Sequence, residues 1–160
     1  MATIDHARIT LSVLMLVLPL AASCSSAPTH ERASDPYPLK RCPVSGRTLG
    51  ENAVVCEIDG REVRFCCEDC PDRFESAKAE LFAKIDAELT AAQLPDYPTD
   101  KCIVTGAPMT LDRKDVSINI IYRNRLVRVC CEDCRAQFES APEHYLSMLD
   151  EARRAASAVE

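Results

Sequence analysis

The sequence lacks the surplus of positive charge that binding to a phosphate backbone requires. Its 160 residues carry 19 Lys and Arg against 25 Asp and Glu, a formal net charge of -6. Both halves share this excess, with six basic against eleven acidic residues from Cys42 to Thr90 and six against eight from Cys102 to Glu151. The composition therefore argues against a nucleic-acid partner.

The sequence also lacks the motifs by which common enzyme classes are recognised. No Ser-His-Asp set, phosphate-binding loop or pair of catalytic carboxylates is visible in it. We therefore expect a protein that binds something and is not an enzyme.

Residues 9–23 form an apolar run that follows Arg8. The run is short for a membrane span and ends in small residues, as secretory signals do. "LAASC" resembles the lipobox of bacterial lipoproteins, which implies a signal peptide over 1–23 and lipidation of Cys24; ordinary cleavage after Ser23 is the alternative. Residues 24–36 are rich in Ser, Pro and charge, as a flexible tether would be. The expected location is outside the cytoplasm, lipid-anchored at the periplasmic or outer surface.

Ten cysteines are present, and most of them belong to a repeated pattern. "FCCEDCPDRFES" at 65–76 recurs as "VCCEDCRAQFES" at 129–140, and "YPLKRCPVSG" at 37–46 answers to "YPTDKCIVTG" at 97–106. We call residues 37–90 copy one and residues 97–151 copy two. Copy two carries four extra residues, which we place in a loop between Gly106 and Val116.

Each copy shows the periodicity of a β-hairpin followed by a helix. Residues 54–65 alternate in polarity around a turn at Asp59-Gly60, and residues 118–129 do so around a turn near Asn124. Apolar residues then recur at helical spacing in both copies, and Pro142 indicates a break and a new helix start. The predicted fold class is α+β, with a knuckle, a hairpin, a cysteine cluster and a helix in each copy.

Cysteines at matching positions are expected to converge in each copy, because the hairpin folds the chain back on itself. Each copy, taken alone, is too small to bury enough apolar surface to fold well without disulfides or a metal. A helix amino terminus beside the cluster favours thiolate, the form that binds metals. The candidate metal ligands are Cys42, Cys66, Cys67 and Cys70 in copy one and Cys102, Cys130, Cys131 and Cys134 in copy two.

The pattern resembles the TRASH and YHS group of small, treble-clef-like metal-binding domains. The shared features are a Cys in a Gly-containing knuckle, a hairpin, and Phe-Cys-x3-Cys with a Phe four residues on, although Val129 replaces the first Phe in copy two. The resemblance covers nearly all of the chain after the tether. It implies zinc, copper or another thiophilic ion, and roles in sensing, metal delivery or transport. The matching residues are Cys42, Cys66, Cys70 and Phe74, and Cys102, Cys130, Cys134 and Phe138.

Two departures from that pattern leave the ligand set open. Four-cysteine members have a second knuckle Cys where this chain has Ser45 and Thr105, and the gap to the cluster is longer than usual, with 23 and 27 intervening residues. Cys67 and Cys131 would complete a four-sulfur site; otherwise each site has three thiolates. Zn(II) and Cu(I) both suit sulfur, and we expect one ion per module.

Several alternatives stand beside metal binding. An exported chain commonly pairs its cysteines in disulfides. "CEDC" at a helix start is also the arrangement of thiol–disulfide oxidoreductases, and a metal- or disulfide-stapled interaction module is a third hypothesis. We interpret Cys56 as a buried apolar residue, and His144 as solvated.

The prediction with most support is a protein that captures, buffers or transfers a thiophilic metal ion at the cell envelope. A partnership with an efflux or metal-transport protein is implied by the family resemblance alone.

Overall fold

The computed structural model describes residues 23–25, by their backbone, and residues 35–158. Over these residues the fold is mixed α/β, with small antiparallel hairpins and four helices. Residues 1–22 of the predicted signal peptide and most of the tether lie outside the described residues. The elements are β1 Ser23–Ser25, β2 Val54–Ile58, β3 Arg61–Phe65, α1 Cys70–Ser76, α2 Lys78–Gln93, β4 Thr110–Leu111, β5 Lys114–Asp115, β6 Ile118–Tyr122, β7 Arg125–Val129, α3 Glu132–Ser140 and α4 Pro142–Ser157.

Both predicted hairpins are confirmed, and each closes through a two-residue turn. Asp59 and Gly60 join β2 to β3 with φ of 51° and 71°, and Arg123 and Asn124 join β6 to β7 with φ of 47° and 68°. Positive φ at both central residues matches the right-handed twist of the strands. The predicted loop of copy two contains a third such turn between β4 and β5.

The inward faces of the hairpins hold the residues that the alternation predicted. In copy one the register pairs Val54 with Phe65 and Cys56 with Val63, and all but Val54 are buried. Each hairpin packs on its own core. The buried members are Tyr37, Cys42, Cys56, Ile58, Val63, Phe65, Cys70, Phe74, Ile85 and Leu89 in copy one and Cys102, Ile103, Met109, Val127, Val129, Cys134, Phe138, Leu146 and Leu149 in copy two.

The single helix predicted for copy one is wrong, because the chain bends at Ala77. Ala77 has φ of -131° and separates α1 from α2. Residues eight apart in a straight helix are separated by about 12 Å along its axis. The bend instead brings the rings of Phe74 and Phe82 to a centroid distance of 5.0 Å, edge to face. The break predicted before Pro142 in copy two is confirmed at Ala141.

The outer face of the copy-two hairpin is covered by copy one. Helix α2 packs against β6 and β7, and Ile121 joins the core of copy one. The Gln93 side chain, at the end of α2, accepts a hydrogen bond from the Leu126 backbone N–H at 2.9 Å and donates one to the Asn124 carbonyl at 2.8 Å. The two copies therefore share an interface.

Cys56 is buried, as predicted, but it is disulfide-bonded, so its interpretation as a simple packing residue is wrong. Strand β1 pairs with β2 so that the Cys24 backbone lies opposite Cys56. The side chains of residues 23–25 are outside the described part of the chain. Among the described helices, none combines the length and apolar character needed to cross a membrane.

Candidate metal centre

A tight turn positions the first cysteine of each site. The Gly46 N–H donates to the Cys42 carbonyl at 2.9 Å, and the Cys42 N–H donates to the Arg47 carbonyl at 2.8 Å. Gly46 has φ of 70°, which an L side chain adopts only with strain. Copy two repeats this knuckle, with Gly106 at φ 71° and its N–H 2.8 Å from the Cys102 carbonyl.

We expect Gly46→Ala to lower the free energy of unfolding by about 1–2 kcal/mol, the cost of a left-handed conformation for an L residue. A Cβ at this position would meet nothing within 4 Å, so backbone strain is the only penalty. Gly50→Ala is the matched control, because its site is equally open and has no positive φ. Denaturant unfolding of both variants measures the difference, and equal stabilities would contradict the role assigned to Gly46.

The cluster cysteines follow directly from the hairpin and the helix start. Strand β3 ends at Phe65, so Cys66 comes next along the chain, and Cys70 is the first residue of α1. The hairpin brings both to the knuckle, and the sulfurs of Cys42, Cys66 and Cys70 all lie within 4.8 Å of one another. The predicted convergence is confirmed for these three residues.

Copy two brings the corresponding sulfurs together in the same way. The sulfurs of Cys102, Cys130 and Cys134 also lie within 4.8 Å of one another. In each triad the first and last cysteines are buried and the middle one is half-buried. All eight cluster cysteines are free thiols.

Cys67 and Cys131 lie at the edge of the clusters and do not belong to the triads that include the knuckle cysteines Cys42 and Cys102. The Cys67 sulfur is 3.3 Å from that of Cys70 and 3.9 Å from that of Cys66. The Cys131 sulfur is 3.4 Å from that of Cys134. Both side chains are exposed. The eight predicted ligands are thus brought together, but three in each copy form the inner set and the fourth faces solvent.

A hydroxyl group of the knuckle lies beside the half-buried sulfur of each cluster. The Ser45 hydroxyl oxygen is 3.2 Å from the Cys66 sulfur, and the Thr105 hydroxyl oxygen is 3.7 Å from the Cys130 sulfur. These positions therefore offer a hydrogen-bonding group beside the sulfurs and not another soft ligand.

The environments of the buried thiols move their pKa values in opposite directions. Burial raises the pKa of Cys42, but hydrogen bonds from the Ser45 side chain and from nearby backbone N–H groups outweigh it and hold the pKa at about 7. The same balance around Cys102, with Thr105 as the side-chain donor, lowers its pKa to about 6. Burial raises the pKa of Cys70 and of Cys134, and their neighbouring thiols add to the rise.

The exposed thiols have lowered pKa values. The hydrogen bond with the Cys70 side chain is the largest cause for Cys67, and the backbone N–H of Cys134 is the largest for Cys131. Each cluster therefore combines two thiols whose pKa values are lowered with one whose pKa is raised. A bound cation would oppose that rise, because metals bind the thiolate form.

The arginines beside the clusters belong to other interactions. Arg61 pairs with Asp86 at 2.7 Å and Arg64 with Glu62 at 2.7 Å. Arg125 pairs with Asp150, and Arg128 pairs with Asp115. Three of these pairs link a strand to a helix or to the β4–β5 hairpin, and the pair of Arg64 and Glu62 lies within β3. His144 is exposed, as predicted, and the side chains of Glu68, Asp69, Glu132 and Asp133 are exposed as well.

Comparison with protein-family models, curated proteins and solved structures finds no match to this chain. The resemblance to the TRASH and YHS group therefore remains a prediction from sequence.

Proposed function

We propose that this protein binds a thiophilic metal ion in each copy and serves to capture, buffer or transfer it at the cell envelope. In this proposal the copies are two tandem treble-clef-like modules of the TRASH/YHS kind. The observation that carries it is the presence of two triads, each with three cysteine sulfurs within 4.8 Å of one another.

The spacing of the sulfurs supports metal binding. Thiolates bound to zinc at about 2.3 Å lie roughly 3.8–4.0 Å apart in tetrahedral or trigonal arrangement. The sulfurs of Cys66 and Cys70 are 3.8 Å apart, and those of Cys130 and Cys134 are 3.6 Å apart. The donor set is soft and partly buried, which suits Zn(II) or Cu(I) better than hard cations that prefer oxygen. One ion per module is proposed.

A thiol–disulfide oxidoreductase is the second candidate, and one observation favours it. The sulfurs of Cys67 and Cys70 are 3.3 Å apart, with the first exposed and the second buried. That is the arrangement of an attacking and a resolving thiol. It leaves unexplained why a buried Cys42 from the knuckle completes the cluster, which is why we prefer binding.

Metal analysis of protein purified without oxygen from its native envelope, beside a count of free thiols, tests the proposal. We expect two equivalents of metal per chain and reduced cluster cysteines. Absence of metal together with oxidised cluster thiols would overturn the proposal in favour of a disulfide-stapled module. Reduced thiols without metal, together with disulfide-reductase activity, would favour the enzyme.

Lipid attachment at Cys24 is part of the proposal, and we expect Cys24→Ala to release the protein from membranes into the soluble fraction. Once the signal is removed, covalent lipid is the proposed means of holding the chain at a membrane. Fractionation after cell lysis measures the change, with Ser26→Ala as the control. Membrane retention of the processed Cys24→Ala protein would contradict the anchor.

The disulfide of Cys56 gives this prediction a second test. A sulfur that carries a lipid as a thioether has no thiol left for a disulfide, and the backbones of Cys24 and Cys56 face each other across β1 and β2. Mass analysis of the mature N-terminal peptide separates the two fates. A lipid adduct on Cys24 supports the anchor, whereas a disulfide-linked peptide pair with Cys56 rules it out.

A further inference from the structure

Each cluster contains two overlapping triads of sulfur, not one. The inner triad is Cys42, Cys66 and Cys70, all within 4.8 Å. The outer triad is Cys66, Cys67 and Cys70, with sulfur–sulfur distances of 3.9, 3.3 and 3.8 Å. The two triads share the pair Cys66 and Cys70 and differ in their third member.

Copy two has the same pair of triads. Its inner triad is Cys102, Cys130 and Cys134. In its outer triad the Cys131 sulfur is 3.9 Å from that of Cys130 and 3.4 Å from that of Cys134, which are themselves 3.6 Å apart. Two occurrences of one geometry make a chance placement of the extra thiol a poor explanation.

The two triads differ in the solvent exposure of their third cysteine, which is Cys42 in the inner triad and Cys67 in the outer triad. Cys42 and Cys70 are each 1% exposed, Cys66 is half-buried, and Cys67 is exposed. The outer triad therefore presents the sulfur that is most open to a donor molecule in solution. In the inner triad two of the three sulfurs are buried, and only that of Cys66 is partly exposed.

We propose that Cys67 and Cys131 are transfer ligands, through which an ion enters on the outer triad and then moves to the inner triad, and leaves by the reverse path. This inference rests on the proposed function. The partner that it fits is a carrier that presents its ion on thiolate sulfur. Once the ion is on the outer triad, the shared pair Cys66 and Cys70 holds it, so the move to the inner triad exchanges only one sulfur.

The exchange balances without any redox change. On entry, the bonds between the ion and the donor thiolates break one at a time as bonds form first to the Cys67 sulfur and then to those of Cys66 and Cys70. On moving inward, the bond to Cys67 breaks as a bond to Cys42 forms, and Cys67 is left free to accept the next exchange. Thiol protons displaced by the ion pass to the solvent, as in other thiolate sites.

Transfer from the full chain loaded with Cd(II) to an excess of a small dithiol tests the proposal. The protein is separated from the dithiol on a desalting column at timed intervals, and its remaining Cd(II) is measured. The variant is Cys67→Ser with Cys131→Ser, and the matched control is Glu68→Ser with Glu132→Ser, at the exposed neighbours of both thiols.

We expect the cysteine variant to bind two Cd(II) ions and to release them at least about tenfold more slowly than the wild type, because the dithiol must then attack the buried triad directly. The control variant should transfer at the wild-type rate. In loaded wild-type protein, iodoacetamide should modify Cys67 and Cys131 first, as peptide mass analysis reports.

Three results would count against the inference in distinguishable ways. Wild-type transfer rates in the cysteine variant would overturn it. Loss of Cd(II) from that variant at equilibrium would also overturn it, because Cys67 would then be a resident ligand, while the proposed function would stand. Failure of the wild type itself to bind Cd(II) would overturn both the inference and the proposed function.

Discussion

Replacing Cys42 with serine is expected to remove one of the two metal ions and to unfold copy one. Cys42 is 1% exposed, and its sulfur belongs to the inner triad with Cys66 and Cys70. A serine oxygen is a poor ligand for a soft ion and leaves a buried hydroxyl in its place. Binding energy at a structural zinc site is on the order of 10 kcal/mol and acts as folding energy, so its loss is large for a small module.

Metal analysis and amide hydrogen exchange measure this outcome. One equivalent of metal should remain on Cys102, Cys130 and Cys134, and amides of copy one should lose protection. Strand β7 should lose some protection as well, because Gln93 of copy one accepts a hydrogen bond from its Leu126 N–H. Cys102→Ser is the mirror-image control.

The enzyme alternative predicts the reverse order of importance. In that case Cys67 would be the attacking thiol and Cys42 a bystander. Unchanged metal content and protection in Cys42→Ser, together with a reductase activity that disappears in Cys67→Ser, would contradict the metal proposal.

Replacing Asn124 with alanine is expected to lower the free energy of unfolding by about 2–4 kcal/mol, without loss of metal. Asn124 is 2% exposed and reaches from the copy-two turn into copy one. Its side-chain N–H groups donate to the carbonyls of Glu62 at 2.8 Å and Asp35 at 3.1 Å, and its oxygen accepts from Arg61 at 3.3 Å. Alanine leaves these groups without that partner and adds strain at φ 68°.

Asn124→Gly is the matched control for this prediction. Glycine removes the same side-chain bonds but accepts positive φ at no steric cost. Denaturant unfolding of both variants therefore separates the two terms, and we expect the glycine variant to be destabilised less than the alanine variant. Wild-type stability of Asn124→Gly would show that the side-chain bonds do not hold the copies together.

Much of each copy was predictable because it follows from local patterns. The alternation of polarity predicted both hairpins, Gly60 and Asn124 indicated the turns, and the matching positions of the cysteines indicated that they converge in each copy. The break at Ala141 was signalled by Pro142. The equivalent break at Ala77 has no such signal, because it depends on the contact between Phe74 and Phe82.

The remaining features depend on single side chains that act across long sequence separations. Gln93 and Asn124 look like ordinary surface residues in the sequence, yet they join the two copies. Glu62 occupies a position that alternation assigns to the solvent face, but it is buried and accepts a hydrogen bond from the Tyr37 N–H. The division of the cysteines into buried and exposed members also could not be predicted from spacing alone.

Because α2 of copy one covers the copy-two hairpin, the two copies would not behave alike as isolated fragments. Ile121 packs into the core of copy one, and α2 lies against β6 and β7. A fragment that contained copy two alone would therefore expose the outer face of its hairpin to solvent. During synthesis, the face of α2 that packs against β6 and β7 stays exposed to solvent until copy two has been made. The two copies are therefore separate repeats in the sequence but fold against each other. A chain made of copy one twice, or of copy two twice, would lose the contact between α2 and the copy-two hairpin.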